Sequence, residues 1–591
     1  MNQLTTDVLV VGGGTGGTAA AIQAARRGAQ TILVSETPWL GGMLTSAGVA
    51  APDGNELAAF QTGLWGAYVR SLRANPLGLS LLHHQPGNLD NSWVSMFSYD
   101  PRIGAKIFAD WVQSLPNLQW ISGYAPQEVL QENNRITGVR FTDFIIKAKV
   151  TLDATELGDL LALADVPHRW GWELQSEFGE PSAPVIPNNL TQKYPVQSPT
   201  WVVILQDFGS EEAPEIPAPP HHTPEQFIKA WESHGSEQFI NYGRLPGGLL
   251  MINWPLHGND YGVDVGRLID SNKRQEFLQE SLWHTQSFAR FIQTQLGRRY
   301  GLAKDVFPAF GLGGGAYALH PYYRESRRLI GLVTVREQDI LPVTGGKVAA
   351  LSKDAVALGN YANDHHYPGM DFPRQPKSIR WGGRWTGTPF TIPYGALVPI
   401  STDGLLVCEK NISVSHIANG ATRLQPVVMN IGQAAGMAAA LCVELGCQPR
   451  DLPVRRIQEA LLEDTLAPAA IIPLFNLLSI HPDWLVWQRY YLENPEDYPI
   501  SGTLSNWQPQ TDCIPLADSL IFKGIFRRHQ EQDYSLSVTE PAAFAGQWTV
   551  ITLQPDVDEQ LQNCTNQQQI TVWGRLNQSG QWLVVEKLVE T

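Results

Sequence analysis

The residues with the clearest chemical potential stand near the start of the chain. Gly12-Gly13-Gly14-Thr15-Gly16-Gly17 fits the pattern G-x-G-x-x-G. It follows an apolar run, Asp7–Val11, and precedes an alanine-rich stretch, Thr18–Arg27, that suits a helix ending at Gly28. A second apolar run, Gln30–Ser35, ends at Glu36. Each residue type has a physical task. Gly12 permits a tight turn, Gly14 lets backbone approach a diphosphate closely, and Gly17 lets helix and strand pack. The amino end of the helix offers free N–H groups and a positive dipole end to phosphate. Glu36 can accept hydrogen bonds from ribose hydroxyls, and its charge would repel a 2′-phosphate. Strand, glycines, helix, strand and acid fall in the order of a dinucleotide-binding βαβ unit. NAD and FAD both satisfy that pattern.

Two later features favour FAD. Glu36 is followed by Pro38-Trp39-Leu40-Gly41-Gly42-Met43-Leu44-Thr45, whose Gly41-Gly42 pair allows backbone to pass close to a ligand. Gln127–Glu132, Arg135–Asp143 and Ile145–Asp153 alternate like strands around an Asn133-Asn134 turn, a β-meander containing Val129. It leads into Ala154-Thr155-Glu156-Leu157-Gly158-Asp159. This layout resembles the glutathione-reductase-type FAD fold, in which the strand returning from such a meander ends in an Ala-Thr-Gly motif beside the cofactor. "DATELGDLLALADV" resembles the "DATYEGDLMA-AGV" run of an FAD-dependent oxidoreductase family related to the fumarate reductase and succinate dehydrogenase flavoproteins. Glu156 stands where the motif usually has glycine.

A second cluster is His320-Pro321-Tyr322-Tyr323-Arg324-Glu325-Ser326-Arg327-Arg328. Its arginines can hold a carboxylate bidentately or pass a proton, or they can form an ion-paired structural face. The string resembles the family's "PYIRESRRIVG" signature. Tyr361–His366 resembles its "YPxDxH" segment, and Phe390–Pro399 its "FxIPYxxLxP". Arg324 and Arg327 are the first candidates for substrate anchoring or proton transfer. His320, Tyr322, His365 and His416 stand behind them, since histidines titrate near neutral pH. His366 is as ambiguous as any single histidine, and His83-His84 reads as a loop feature.

Gly404–Lys410 reads as a returning strand, and Pro426 opens an Ala/Gly-rich helix running from Val427 to about Leu445. The run from Ile412 to Leu441 resembles the family's closing FAD motif. The resemblance implies that the amino end of this helix faces the pyrimidine edge of the flavin, with Asn419, Arg423 and Pro426 near it. There the helix dipole would stabilise negative charge on the reduced ring. Cys408-Glu409-Lys410 replaces the usual Ala-Gly-Arg, so side chains stand where backbone usually approaches the ribitol. The cofactor candidates are Gly12, Gly13, Gly14, Thr15, Gly16, Gly17, Glu36, Gly41, Gly42, Met43, Thr45, Val129, Ala154, Thr155, Gly158, Asn419, Arg423 and Pro426. FAD is expected to be noncovalent, because no histidine or cysteine occupies the loop after Gly42.

Composition narrows the remaining possibilities. The chain has 591 residues and a net charge of −15, which disfavours nucleic acid as a partner and with it a flavin-dependent RNA-modifying enzyme. Five cysteines without a C-x-x-C argue against a disulfide scaffold or a cysteine metal site, so no metal is expected. No apolar run is expected to reach the roughly 20 residues that span a bilayer, and no secretory signal is evident, so the expected compartment is the cytoplasm. The expected class is α/β: a Rossmann-like FAD-binding domain with a β-meander (1–166 and 395–450) and an inserted α+β substrate domain (167–394). A helical extension and proline-rich linker (451–515) and a small β-rich C-terminal module (516–591) follow. Thr223-Pro224 is expected to start a helix, as is Ser271. Strands are expected over Trp201–Leu205, Trp548–Leu553, Gln569–Leu576 and Trp582–Leu588, the last two joined by a Gln578-Ser579-Gly580 turn. Gly311–Gly315 is expected to be a loop outside any nucleotide site. The expected function is hydride transfer between flavin N5 and a small organic substrate, for which arginines would suit a carboxylate, with an unidentified electron acceptor. The competing expectation is a flavoprotein whose FAD is structural or redox-sensing and acts through a protein partner.

Overall fold

A computed structural model describes residues 2–75, 91–505 and 519–589. His83, His84 and residues 506–515 of the expected linker lie outside the described residues. The core is a seven-stranded sheet built from β1 (Asn2–Val11), β2 (Thr31–Ser35), β3 (Leu118–Ser122), β4 (Glu128–Glu132), β5 (Arg135–Arg140), β6 (Phe144–Asp153) and β7 (Leu405–Val407). The order is β3-β2-β1-β6-β5-β4, and β7 pairs with the end of β6. β1, β2, β3, β6 and β7 run parallel, while β4 and β5 form the antiparallel meander. Val8–Val11 are fully buried, as expected of a parallel strand covered on both faces.

Parallel strands deliver their carboxyl ends to one edge. Val11, Asp153 and Val407 therefore end side by side, and the loops Gly12–Gly14, Ala154–Glu156 and Cys408–Lys410 converge there. Ligands bind at this edge in open α/β sheets. Helix α1 (Thr15–Arg26) starts from the first of these loops.

The long helix α2 (Arg274–Leu296) starts later than Ser271 and packs on a separate four-stranded sheet. The strands of that sheet are Tyr300–Leu302, Val203–Asp207, Leu249–Ile252 and Arg244–Leu245. Its strand begins at Val203 because Trp201 turns inward and its indole N–H donates to the Ala318 carbonyl at 2.8 Å. At Thr223 only a single 3-10 turn forms, Pro224–Phe227, and the Thr223 side chain caps nothing. Helices α3 (His416–Thr422) and α4 (Gln425–Leu445) follow β7.

α4 lies directly on α1. A Cβ on Gly432 would sit 2.1 Å from the Gly16 carbonyl oxygen, and one on Gly436 2.2 Å from that of Ala20. A Cβ on Gly16 would sit 1.7 Å from the Cys408 carbonyl oxygen. The two backbones touch, which only glycine allows at these positions. Contrary to the expectation from apolar runs, α4 has both length and hydropathy for a membrane span, 21 residues with a mean of 1.5. The protein interior covers 94% of that window, so α4 is a core helix in this fold.

The region after α4 carries helices over Val454–Leu462 and Trp484–Glu493, and the described start of the expected linker is packed. Ile457, Leu461, Phe475, Tyr498 and Leu504 all join the main core, so the prolines at 495 and 499 bend a packed segment. The terminal module begins earlier than the expected strands suggest. Its strands are β8 (Leu520–Gln530), β9 (Asp533–Glu540), β10 (Gly546–Ile551), β11 (Gln569–Asn577) and β12 (Trp582–Val589). They close a barrel in the order β8-β9-β10-β12-β11, with β10 and β12 parallel and helix α5 (Pro555–Asn563) between β10 and β11. That connectivity is the one of an OB-fold barrel. The barrel docks through main-chain hydrogen bonds, Ala58 N–H to Leu553 O at 3.0 Å and Thr552 N–H to Gly382 O at 2.7 Å.

The helix contact yields a direct test. Gly432→Ala forces a methyl group against the Gly16 carbonyl and should destabilise by about 1–3 kcal/mol. A fall of several degrees in the apparent melting temperature, with Gly266→Ala neutral because nothing lies within 4 Å of its added carbon, is the expected result. Equal melting of the two variants would contradict the contact.

Candidate active site

Two cavities flank the segment His320–Arg324. The first, of 240 Å³, is lined by Gly12, Gly13, Gly14, Glu36, Gly42, Ala154, Thr155, Glu156 and His320. The second, of 540 Å³, is lined by Asp53, Asp260, Tyr322, Arg324, Asp364, His365, His366, Arg423 and Gln425. The side chains of this shared wall divide between the two: His320, Pro321 and Tyr323 line the first cavity, Tyr322 and Arg324 the second.

The first cavity has the parts of a nucleotide groove. Gly12 takes φ +116°, the tight turn foreseen for it, and a Cβ on Gly17 would meet the Gly12 carbonyl oxygen at 2.1 Å. Glu36 is exposed and lines the cavity. Tyr124, Pro126, Arg274, Phe310 and Gly311 complete the wall and were not among the expected contacts. Gly311 belongs to the glycine run set aside as a mere loop, which here is the turn of a hairpin between Phe307–Phe310 and Gly313–Gly315. His320 accepts from Ser46 Oγ at Nε2 (3.0 Å) and donates from Nδ1 to Pro321 O (2.9 Å). Burial lowers its pKa, which favours the neutral ring.

Other expected cofactor residues lie behind the cavity. Thr15 donates to Gly41 O, which ties the 40–45 loop to α1, and Thr45 donates to Leu40 O within that loop. Met43 is fully buried. Val129 is buried in β4, and Gly158 packs on Arg327. Asn419 donates to Arg324 O at 3.1 Å, and Pro426 is buried in the first turn of α4.

At the amino end of α1 the structure departs from an open groove. The Gly16 N–H donates to Glu409 Oε1 at 2.6 Å. A Cβ on Gly14 would lie 2.3 Å from that same oxygen. Lys410 Nζ pairs with Glu156 Oε2 at 2.6 Å and Glu409 Oε2 at 3.2 Å. Both residues that replace small family residues thus point their carboxylates at one ammonium. Desolvation pushes Glu409 up to about 7 while Lys410 pulls it down; Lys410 itself is held above its usual range by the two carboxylates. FAD therefore fits this groove in two parts only. The glycine cradle and Glu36 suit the adenosine and diphosphate, but Glu409 sits where the diphosphate would meet α1. With it in place, 240 Å³ falls below the roughly 300–1,000 Å³ of ordinary ligand pockets.

The second cavity lies at the amino end of α4 and carries a chain of alternating charge. Arg423 donates to Asp364 Oδ2 at 3.2 Å and to the Tyr322 hydroxyl at 2.7 Å. His366 joins Asp364 (2.7 Å) to Asp260 (2.6 Å), and Asp260 meets Arg324 at 3.2 Å. Against the cost of burial, Arg324 and His366 hold Asp260 down to about 2, and His366 and Arg423 hold Asp364 well below its usual range. His366 thus bonds to each carboxylate through a different ring nitrogen. Asp53 differs: burial, with Glu56 nearby, pushes it up to about 8. Arg384 meets Glu56 at 3.2 Å and stacks over Trp582 of the barrel at 4.8 Å.

The expected catalytic residues are thus dispersed. Tyr322, Arg324 and His365 share the second cavity with Arg423, while His320 faces the first. Arg324 is 1% exposed and also donates to Ser198 O and Thr200 Oγ1, so it anchors protein before substrate. Arg327 lines neither cavity; it holds Leu157 O, Ile269 O and Asp159. His416 is buried against Glu325 and Tyr367. His365, held well below its usual range by burial and His416, donates from Nε2 to Ile417 O. Asp53, Asp260 and Asp364 were not singled out. Only the fold brings Asp53 and Asp260 beside His366 and Arg423, whereas Asp364 lies two residues from His366 in sequence.

The depressed Asp260 value has a sign that can be checked. Its ionised form adds stability at pH values above about 4, lost as pH falls toward 2, and the shift corresponds to about 2 kcal/mol. Asp260→Asn should flatten that acid limb of the melting curve and, by leaving Arg324 buried without its carboxylate, lower stability at neutral pH by about 3 kcal/mol or more. Parallel acid limbs in both proteins would contradict it.

Comparison with known proteins agrees with the glycine cradle and converging loops. Residues 7–461 match the family described as FAD dependent oxidoreductase. No curated protein matches. Among solved structures, the chain resembles a geranylgeranyl bacteriochlorophyll reductase-like protein from Thermoplasma acidophilum at 13% identity and TM-score 0.33, covering 78% of this chain and 84% of that one. It also resembles L-proline dehydrogenase from P. horikoshii (16%, TM-score 0.23, 36% and 63%) and thioredoxin reductase from T. acidophilum (20%, TM-score 0.16, 30% and 41%). Those likenesses are too loose to carry an assignment, whereas the family match spans most of the chain. The chain belongs to the FAD dependent oxidoreductase family, and with it come an oxidoreductase activity and FAD as cofactor.

Proposed function

We propose that the 540 Å³ cavity is the substrate site and that the protein transfers a hydride between flavin N5 and a small organic anion carrying a carboxylate. The observation that carries this reading is the chain Arg423–Asp364–His366–Asp260–Arg324 along one wall. Two arginines and a histidine share these two carboxylates, and the amino end of α4 adds a positive dipole end. FAD, when bound, accepts or supplies the hydride. Arg423, on the cavity wall at the amino end of α4, is the residue assigned to meet a carboxylate; as buried as Arg324, it would exchange a protein partner such as the Tyr322 hydroxyl for the substrate. Tyr322, Asp364 and His366 orient it. Asp53 carries its proton at neutral pH and is the group able to donate it to, or after ionisation take it from, the substrate.

Anaerobic mixing of the FAD-loaded protein with a panel of small hydroxy, amino and unsaturated carboxylates should bleach the flavin band near about 450 nm with some oxidisable members. If the reaction runs the other way, the unsaturated members should reoxidise pre-reduced protein. Tyr322→Phe leaves an Arg423 N–H unpaired and should slow that step about tenfold or more. The pH profile should break near 8 and lose that break in Asp53→Asn; a rate falling above 8 marks Asp53 as acid, one rising marks it as base. Silence across the panel in both directions, while neutral analogues react, would overturn the anionic substrate.

A further inference from the structure

We propose that Glu409 is an internal competitor for the cofactor's diphosphate, so that FAD loads only by displacing the chain's own carboxylate from the amino end of α1. This rests on FAD being the cofactor and goes beyond it by naming the residue that governs loading. The first turn of α1 has no acidic residue and Gly14 at its N-cap has no side chain to cap it. Its N–H groups nevertheless need an acceptor, because buried amino-terminal donors are costly when unpaired. Glu409, 393 positions away in sequence, supplies one at Gly16. A diphosphate on a G-x-G-x-x-G turn needs the same donors. Both are anions, and the space beside Gly14 that a diphosphate would enter is where Glu409 Oε1 lies.

The replacement is built as a set. Glu156 Oε1 is buried without a hydrogen-bond partner and lies 2.9 Å and 3.1 Å from where Cβ atoms on Gly42 and Gly14 would be. Lys410, fully buried, clamps Glu156 and Glu409 together. The Glu409 N–H donates to Asn411 Oδ1, which fixes the loop, so a displaced carboxylate stays beside the diphosphate. The charged groups facing Glu409 are Lys410 from its own loop and Glu156 after β6, and the Gly16 N–H from α1 donates to it. His320 acts on Glu156, and Asp153 and Glu409 both act on the neutral Cys408 thiol beneath. Because Glu409 loses its proton near 7 and a neighbouring diphosphate would disfavour its charge further, loading takes up a proton and weakens as pH rises above that value.

Full-length protein freed of flavin can be titrated with FAD, ADP and adenosine between pH 6 and pH 9, reading flavin fluorescence and heat. Glu409→Gln keeps the side-chain volume and removes the competing anion. At pH 8 it should bind FAD and ADP about tenfold or more tightly than the parent, while adenosine, which lacks phosphate, binds both alike. The parent's affinity should fall above pH 7 and the variant's should not. A melting curve checks that the variant is folded, and Glu409→Gly offers a second route should the amide be poorly tolerated. Equal FAD affinities in parent and variants overturn the competition alone. Failure of every protein to bind FAD or ADP overturns it together with the cofactor assignment.

Discussion

The amino end of α1 must have an anion, and much of the molecule is arranged around how it gets one. A buried helix start leaves N–H groups without partners inside the helix. In this chain the first turn is glycine-rich and cannot cap itself. The parallel sheet solves the problem from a distance. Because β1, β6 and β7 end at one edge, the loop after β7 hangs over the loop after β1 and lowers Glu409 onto Gly16. The backbone contact between α1 and α4 fixes this arrangement, since Gly16, Gly432 and Gly436 hold the two helices too close for any side chain. It also sets the two amino ends near each other, one at the nucleotide groove and one at the charged cavity.

That geometry divides labour between the cavities. The groove at α1 meets only invariant parts of a dinucleotide, and its wall joins the glycine turn and backbone to side chains that include Glu36, Glu156, Arg274 and His320. The cavity at α4 meets the reacting molecule, and its wall is made of ionised side chains whose charges are mutually held. Asp260 and Asp364 stay ionised because cations face them, whereas Asp53, desolvated by burial and with a carboxylate neighbour, stays protonated. Carboxylates of one chemical type thus do different work according to their neighbours. The barrel contributes from outside, where Trp582 supports Arg384 and Arg384 in turn holds Glu56 beside Asp53.

The opening βαβ unit, the meander and the closing helix could be read from sequence because each is local. Gly12 and Gly17 do what their positions foretold, for the reasons of turn and close packing that make glycine necessary. The substitutions Glu156, Glu409 and Lys410 were visible as departures, but not their joining, which needs the convergence of loops distant in sequence. The arginine-rich segment misled because residues adjacent in sequence were taken as adjacent in action. The segment sends Tyr322 and His320 to different cavities, and Arg327 lines neither. Asp53 and Asp260 carried no local signal, and Asp364 stood in the Tyr361–His366 segment without a role being assigned to it. The prolines near 495 marked bends in a packed segment, since proline constrains backbone without saying whether its neighbours are buried.

The account turns on which anion holds the Gly16 N–H when the cofactor is present, and an experimental structure determined at saturating FAD would decide it. It predicts the diphosphate on Gly14–Gly16, the Glu409 carboxylate turned off α1, the adenine ribose at Glu36 and the flavin ring at the amino end of α4. A dinucleotide bound elsewhere, with Glu409 still accepting from Gly16, would contradict it.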